Sequence, residues 1–214
     1  MKKFSLLLCL LPLLSFSQQD AKLLLAKAVS YHDPNDSWSK LKTTFRFTET
    51  RPTGPDRNTT VKIDNTQGSV TINRNDEEIY EVRGDSVKVV KGDRDKDRGI
   101  TLRNYYLYLW GLPMKLYDES TPAITLAHHE MIINQGCYVL RVPYEAETYY
   151  FYFSKESGRM LQYKFYKDET AGKGELIKLE DEITIQGMKI PQKRSWYTLP
   201  EMKYLGTDIL ESIK

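Results

Sequence analysis

The residue types best suited to chemistry form a small cluster of histidines and an acid near the middle of the chain. His128 and His129 are adjacent in a predicted strand, so their side chains point to opposite faces and cannot easily share a metal ion. His128 and Glu130 share a face and provide two ligands, but a zinc site needs three or four, and His32 is the only other histidine. A metal-dependent hydrolase using His128 and Glu130 is therefore our third interpretation, and we assign no metal ligand and no cofactor.

One aspartate-rich segment partly follows the pattern of a calcium-binding loop. Asp93, Asp95 and Asp97 have suitable spacing. However, Arg98 stands where the sharp turn requires glycine, and Asn104 stands where a bidentate glutamate is needed. Basic residues between the aspartates would also repel the cation. We interpret this segment as a solvated hairpin loop.

Nothing in the sequence supports nucleophilic catalysis or nucleotide binding. The chain lacks a G-x-S-x-G motif, a phosphate-binding glycine loop and a dinucleotide fingerprint. Cys137 lies in an apolar strand pattern without a neighbouring base, and free cysteine is among the most buried residue types. We therefore expect Cys137 to be a buried small hydrophobe and the protein not to be an enzyme.

Aromatic side chains give the stronger signal. Tyrosine accounts for 15 residues, most of which lie between Tyr105 and Tyr197. The segment Thr148–Tyr166 is typical of two strands joined by a turn, and a strand with one wet face should alternate apolar and polar residues. Here Tyr150 and Tyr152 point one way and their aromatic neighbours point the other. This pattern favours one wall of an apolar enclosure, filled either by the protein itself or by a ligand.

The periodicity of the chain predicts a mainly β (α+β) fold with one curved antiparallel sheet of about ten strands. A helix is predicted at Asp20–Tyr31, with Asp20 as its N-cap and Pro34 beyond its end. Arg103–Leu112 is apolar nearly all round and predicts a short second helix. The remaining segments alternate with period two, which predicts strands at Thr44–Thr50, Thr59–Asn65, Gly68–Asn73, Glu77–Arg83, Ser86–Lys91, Ala123–Ile133, Cys137–Val142, Thr148–Phe153, Met160–Lys167, Leu176–Ile185, Met188–Pro191 and Arg194–Leu199, with Ile209–Ile213 as a further strand or an extended tail.

The N-terminus predicts export. Lys2 and Lys3 precede the apolar run Phe4–Leu14, and small residues follow, so residues 1–17 have the pattern of a cleaved signal peptide. The apolar run is shorter than the roughly 20 residues that a membrane-spanning helix needs. Cys9 lies within this run and is preceded by leucine, which argues against lipidation there. We expect a periplasmic protein, with secretion from the cell as the alternative.

Length and charge define the remaining limits. Residues 18–214 are enough for one domain with a sizeable core. Lysine and arginine total 31 and the acids total 29, and removal of Lys2 and Lys3 makes these totals equal. The mature chain therefore offers no electrostatic basis for binding nucleic acid or an anionic membrane. The sequence does not define an oligomeric state.

Several motifs together resemble one known family. They are Tyr31-His-Asp-Pro34 with Trp38, Tyr149–Phe153 followed by Ser157-Gly158, and the ending Ile185-x-Gly-x-x-Ile190-Pro191 before Trp196-Tyr197. With the order of the elements, they resemble the LolA/LolB-like superfamily of periplasmic lipoprotein carriers, and more closely an uncharacterised secreted family within it. The resemblance implies an incomplete barrel whose apolar concave face is partly closed by helices and holds acyl chains. No residue matches the carriers' release mechanism.

We therefore predict an exported, non-enzymatic protein that holds a lipid, acyl chain or other apolar ligand in a half-barrel. Transient contact with envelope membranes or lipoproteins is part of this hypothesis. The residues predicted at the mouth of the cavity are Tyr105, Leu107, Leu109, Trp110, Leu112 and Met114, and those predicted on its wall are Tyr150, Tyr152, Tyr163 and Phe165. The alternative is a structural or protein-interaction module of the cell envelope. An empty apolar groove would favour the carrier, and a filled one would favour the module.

Overall fold

One open antiparallel sheet organises the chain. A computed structural model describes residues 11–211, with side chains from Gln18 onwards, so Cys9 and most of the predicted signal peptide lie outside the description. The strands are β1 Lys42–Thr50, β2 Arg57–Asp64, β3 Ser69–Arg74, β4 Glu78–Arg83, β5 Ser86–Lys91, β6 Thr125–Ile132, β7 Gln135–Pro143, β8 Thr148–Ser154, β9 Met160–Asp168, β10 Lys173–Glu180, β11 Ile183–Ile185, β12 Met188–Ile190, β13 Lys193–Leu199 and β14 Tyr204–Leu210. Twelve of them form the sheet in the order β5-β4-β3-β2-β1-β14-β13-β10-β9-β8-β7-β6, and β11 pairs with β12 separately. The sheet is curved and not closed, which confirms the predicted half-barrel.

Two helical segments lie over the concave face of the sheet. The first is α1, Leu11–His32. The second, which we call the cover, spans residues 96–117 and contains α2 (Lys96–Asn104), a π-helical turn (Tyr105–Leu109) and a 3-10 turn (Met114–Tyr117). Within residues 11–211, no helix combines the length and the apolar character needed to cross a membrane.

Two apolar clusters fill the space between the sheet and its helices. The first cluster packs Leu102 and Trp110 of the cover against strand residues such as Phe47. The second cluster packs Leu25 of α1 against strand residues such as Phe151. Burying one large apolar side chain stabilises a fold by about 1.5–3 kcal/mol, so these clusters hold both helical segments on the sheet. The concave face is therefore packed with the protein's own side chains.

The structure corrects two predicted starting points. The described part of the first helix already includes Leu11, so Asp20 lies inside α1 and is not its N-cap. The aspartate-rich segment is only partly a loop, because α2 begins within it at Lys96. Asp95 caps this helix, since its carboxylate accepts a hydrogen bond from the backbone amide of Arg98 at 3.0 Å. The second helix therefore starts well before the apolar run that predicted it.

One predicted strand is divided in two. The prediction of a single strand at Leu176–Ile185 is wrong because Asp181, with φ of 54°, adopts the left-handed conformation and ends β10. The residues beyond it, Ile183–Ile185, pair with Met188–Ile190 in a small separate hairpin. Cys137 is fully buried and unpaired, as predicted. Burial also raises the pKa of its thiol, which disfavours a nucleophilic thiolate.

Candidate functional site

The end of α1 is joined to the sheet through a buried histidine. The Nδ1 atom of His32 donates a hydrogen bond to the carbonyl of Lys189 at 2.6 Å, and its Nε2 atom accepts one from the amide of Met160 at 2.9 Å. This pattern requires a neutral ring with its proton on Nδ1. Burial, the largest effect, lowers the pKa of His32 from 6.5 to about 4. A neutral imidazole therefore links α1 to both β9 and the β11–β12 hairpin.

Two neighbours of His32 in the sequence, Tyr31 and Asp33, also help to fix the joint between α1 and the sheet. The carboxylate of Asp33 accepts hydrogen bonds from the amides of Ser37 and Trp38, at 2.7 and 2.8 Å. The hydroxyl of Tyr31 donates to the carboxylate of Glu182 at 3.2 Å. These bonds fix the turn after α1 and thereby position the Trp38 ring.

A pocket of about 630 Å³ lies at the end of the half-barrel where this turn meets the cover. Its apolar lining comes from α1, from the turn and from the cover: Val29, Trp38, Leu107 and Met114. Its charged lining residues are Asp33, Asp36, Arg103, Lys115 and Asp118. The volume falls within the roughly 300–1,000 Å³ that is usual for small-molecule sites. A pocket whose lining combines apolar and charged side chains suits an amphiphilic ligand.

A second hollow of about 380 Å³ lies between α1 and the segment before β6. It is lined by Lys22 and Leu25 of α1 and by residues 121–124. Tyr117 of the cover borders both hollows, and its side chain is 57% exposed. The two hollows are therefore neighbours that share the side chain of Tyr117.

A row of four charged residues crosses the concave face of the sheet. Arg57 of β2 lies opposite Glu49 of β1, which lies opposite Asp208 of β14. Asp208 in turn lies opposite Arg194 of β13. Residues directly opposite in a ladder project from the same face, so these four side chains form a continuous polar row. Glu49, Asp208 and Arg194 are at most 1% exposed, and the two buried carboxylates form ion pairs with Arg57 and Arg51 respectively.

Tyrosines of the cover bind the carboxylates of this polar row. The hydroxyl of Tyr105 donates to Asp208, and that of Tyr106 donates to Glu49. The indole nitrogen of Trp196 donates to Asp208 at 2.8 Å. Burial raises the pKa of both tyrosines and of the Asp208 carboxyl. The π-helical turn is therefore fastened to the sheet by two phenol–carboxylate hydrogen bonds.

The six residues predicted at the mouth all lie in the cover, but they do not share one environment. Leu107 and Met114 line the larger pocket. Trp110 belongs to the first cluster, and Leu109 and Leu112 belong to the second. Tyr105 donates a hydrogen bond to Asp208 of the polar row. The cover thus bridges the two clusters and presents two of the six side chains to the pocket.

The four residues predicted on the wall are divided between the two faces of the sheet. Tyr163 and Phe165 lie in the second cluster on the concave face. The register pairs Phe151 with Tyr163, so Phe151 and its alternate neighbours share that face. The placement of Tyr150 and Tyr152 on the concave wall is therefore wrong, because they alternate with Phe151 and project from the outer face.

The outer aromatic side chains surround a lysine of the same sheet. The Nζ atom of Lys164 lies 5.4–5.6 Å from the ring centroids of Tyr150, Tyr152 and Tyr166. A cation at this distance is attracted by the electron-rich ring faces. The second aromatic face of the hairpin is thus explained by contacts within the protein.

The residues considered for a metal site are not assembled into one. The Nε2 atom of His128 lies 3.1 Å from a carboxylate oxygen of Glu130. Both ring nitrogens of His32 are occupied by backbone groups. In the part of the chain that the structure describes, no three or more His, Cys, Asp or Glu side chains are grouped to hold a metal ion. These histidines therefore do not supply the geometry that the hydrolase interpretation requires.

The polar row was missed in the sequence although alternation pointed to it. Glu49 follows Phe47 by two residues, and Arg194 precedes Trp196 by two, so each charged residue shares a face with an aromatic one. Asp208 precedes Leu210 in the same way. A charged residue at an apolar strand position is the signal that could have identified all three.

The fold is similar to those of several solved structures. The LolA superfamily protein NE2245 from Nitrosomonas europaea aligns with a TM-score of 0.58 and 11% identity, covering 90% of this chain and 91% of that chain. A putative outer membrane lipoprotein-sorting protein domain from Vibrio parahaemolyticus aligns with a TM-score of 0.58 and 9% identity, covering 92% of each chain. A DUF1329 family protein from Desulfovibrio piger aligns with a TM-score of 0.50 and 10% identity, covering 90% of this chain and 91% of that chain. These likenesses confirm the predicted LolA-like fold.

Sequence comparison places the chain in a family. Among proteins with curated descriptions, none matches this sequence significantly. The family model described as "Family of unknown function (DUF6503)" matches residues 1–96 and 94–212, which is nearly the whole chain. The chain therefore belongs to the DUF6503 family and has a LolA-like half-barrel fold.

Proposed function

We propose that this protein is an exported, non-enzymatic carrier of a lipid, an acyl chain or another apolar ligand. The observation that supports this most directly is the pocket of about 630 Å³, in which apolar residues of α1 and the cover meet at the end of the half-barrel. A solved structure of the same fold is named as a lipoprotein-sorting domain, which supports a carrier rather than an enzyme. In a carrier, this pocket would hold part of the apolar chain of the ligand.

The energetics suit weak, reversible binding while the cover stays packed on the sheet. Ten buried methylene groups contribute about 8 kcal/mol, at about 0.8 kcal/mol each. Association subtracts at least about 4 kcal/mol, which leaves an affinity in the millimolar range. A longer chain would bind more tightly, but the two clusters already fill the concave face, which is the result expected for the alternative, an interaction module. Deeper insertion therefore requires the cover to move away from the sheet.

The test is native mass spectrometry of the protein purified from its own host, followed by lipid extraction. We expect a bound apolar molecule, and we expect Leu107→Asp to reduce its occupancy because Leu107 lines the pocket. Leu23→Asp is the matched control, since Leu23 lies on α1 and is 66% exposed. A ligand-free protein that also fails to take up an apolar fluorescent probe would refute the carrier and favour the interaction module.

Export is proposed from the N-terminal sequence. Cleavage after Ser17 would remove the start of α1 as the structure has it and leave a helix that begins at Gln18. We expect the intact mass of protein from the periplasmic fraction to correspond to residues 18–214. A mass that retains residues 1–17 would contradict the predicted signal peptide.

A further inference from the structure

An unpaired guanidinium is buried at one end of the polar row. Arg194 of β13 is 0% exposed, and none of its three guanidinium nitrogens has a hydrogen-bond acceptor among the described residues. The hydroxyl of Tyr163 faces this guanidinium but does not have the geometry of a full hydrogen bond to it. Native proteins rarely leave buried polar groups unpaired, so each such group needs an explanation. One neutral hydroxyl cannot satisfy the five N–H donors of a guanidinium, so the remaining donors indicate a position for a further molecule.

The nearby carboxylates do not complete the hydrogen bonds of this guanidinium. Glu49 accepts from Tyr106, and Asp208 accepts from Tyr105 and Trp196. Both carboxylates are therefore committed to donors of the cover and of the sheet. Asp208, directly opposite in the ladder, attracts the Arg194 cation but accepts no hydrogen bond from it.

The chemistry of the position selects an anionic acceptor. Arginine presents five N–H donors and no acceptor, and it stays charged in proteins. Burial lowers the pKa of Arg194, so the environment disfavours its charge. The Arg194 guanidinium carbon lies 4.1 Å from the centre of the Trp110 ring, which provides a cation–π contact but accepts no in-plane hydrogen bond. A carboxylate or phosphate would accept two parallel N–H bonds from such a group.

We propose that Arg194 binds the oxyanion head group of the carried ligand, so that the ligand class is an acyl chain with a carboxylate or phosphate head. This inference rests on the proposed carrier function and specifies its ligand. Trp110 covers the guanidinium and shares the first cluster with Met114, which lines the pocket. When the cover moves, the head group reaches Arg194 and the tail lies towards the mouth. We therefore expect tryptophan fluorescence to change on binding, because Trp110 contacts Arg194 and Trp38 lines the pocket.

The experiment compares three ligands with the same sixteen-carbon tail and different heads. Palmitate, hexadecyl phosphate and hexadecanol are titrated below their aggregation limits while tryptophan fluorescence is recorded. We expect both anionic ligands to bind at least about tenfold more tightly than the alcohol, since hydrogen bonds to charged groups exceed neutral ones by this much. The ratio between palmitate and hexadecyl phosphate identifies the preferred head group.

Two variants test whether Arg194 causes the preference for anionic ligands. Arg194→Met should make the three affinities equal. Lys178→Met removes the same charge from the neighbouring strand on the outer face, where Lys178 contacts Tyr197 and is exposed, and it should keep the preference. If Arg194→Met does not fold, the wild-type comparison still tests the proposed ligand class, because equal affinities for the three ligands would overturn it.

The outcomes separate this inference from the carrier function. Equal binding of all three ligands by the wild type would overturn the inference, leave the carrier intact and indicate that Arg194 holds water only. Failure of all three to bind would overturn both. A preference that survives in Arg194→Met would overturn the role of this residue.

Discussion

Acid should loosen the joint between α1 and the sheet, because His32 is held there as a neutral imidazole. Protonation would convert its Nε2 atom from an acceptor to a donor and break the bond from the amide of Met160. Burial excludes the charged form, and the positive charges of Arg159, Arg194 and Lys189 add a smaller repulsion. The perturbation is therefore a change of pH from 7.5 to 4.

The magnitude follows from the difference between the two pKa values. The pKa of His32 is 6.5 in the unfolded chain and about 4 in the folded protein. Below pH 6.5 the unfolded state binds a proton that the folded state does not, so the free energy of unfolding falls as the pH falls. Each pKa unit corresponds to 1.36 kcal/mol, so the loss is about 3 kcal/mol by pH 4. Above pH 6.5 this contribution is fully present.

The assay is urea unfolding of the wild type and His32→Gln at several pH values between 7.5 and 4. Glutamine keeps a donor and an acceptor but does not titrate, so the variant should lose most of the pH dependence in this window. Subtracting the two curves cancels the carboxylates, which both proteins share. His129→Gln, on the exposed edge strand, is the control and should keep the wild-type slope. Equal slopes for the wild type and His32→Gln would refute the assignment of a buried neutral histidine.

Two further predictions concern the cover and the sheet. Tyr106→Phe removes a donor from the buried carboxylate of Glu49 and should lower the free energy of unfolding by about 1.5–3 kcal/mol. The exposed Tyr117→Phe should leave the urea midpoint unchanged, and a small effect of the first substitution would argue against the fastening of the cover. Gly174→Ala places a methyl group 1.9 Å from the backbone oxygen of Phe165 at the bulge between β9 and β10, so it should reduce stability by at least about 2 kcal/mol. A thermal midpoint within 2 °C of wild type, roughly the shift for well under 1 kcal/mol, would show that this bulge can open without cost.

Alternation along the chain was sufficient to predict most strands but not the orientation of the sheet. Period two separates Tyr150 and Tyr152 from Phe151, yet it does not say which set faces the helices. That choice depends on the register with β9, which contains an irregularity between Tyr152 and Phe153. A one-residue shift exchanges the two faces of a strand. Alternation alone therefore could not show that Tyr150 and Tyr152 project from the outer face and not from the concave wall.

The hydrogen bonds that hold the end of α1 on the sheet are represented in the sequence only by the motif Tyr31-His-Asp-Pro34. The partners of His32 are 128 and 157 residues away along the chain, so no local pattern reveals them. The capping of the Trp38 amide by Asp33 is local, and its residue types are typical of turns. Short-range bonds of this kind are predictable in principle, whereas the buried histidine needed the tertiary fold.

The polar row is the feature of the filled half-barrel on which the proposed carrier function would depend. A concave face built only as a core would gain stability from apolar residues, whereas this face buries two carboxylates that are ion-paired with Arg57 and Arg51, and the guanidinium of Arg194 without an acceptor. Local rules of stability are broken in this way mainly at functional sites. Opening would replace the hydrogen bonds between the cover and this row by hydrogen bonds to water. In the carrier that we propose, the cover would separate from the sheet along this row and expose both the apolar clusters and the cation proposed to receive the ligand.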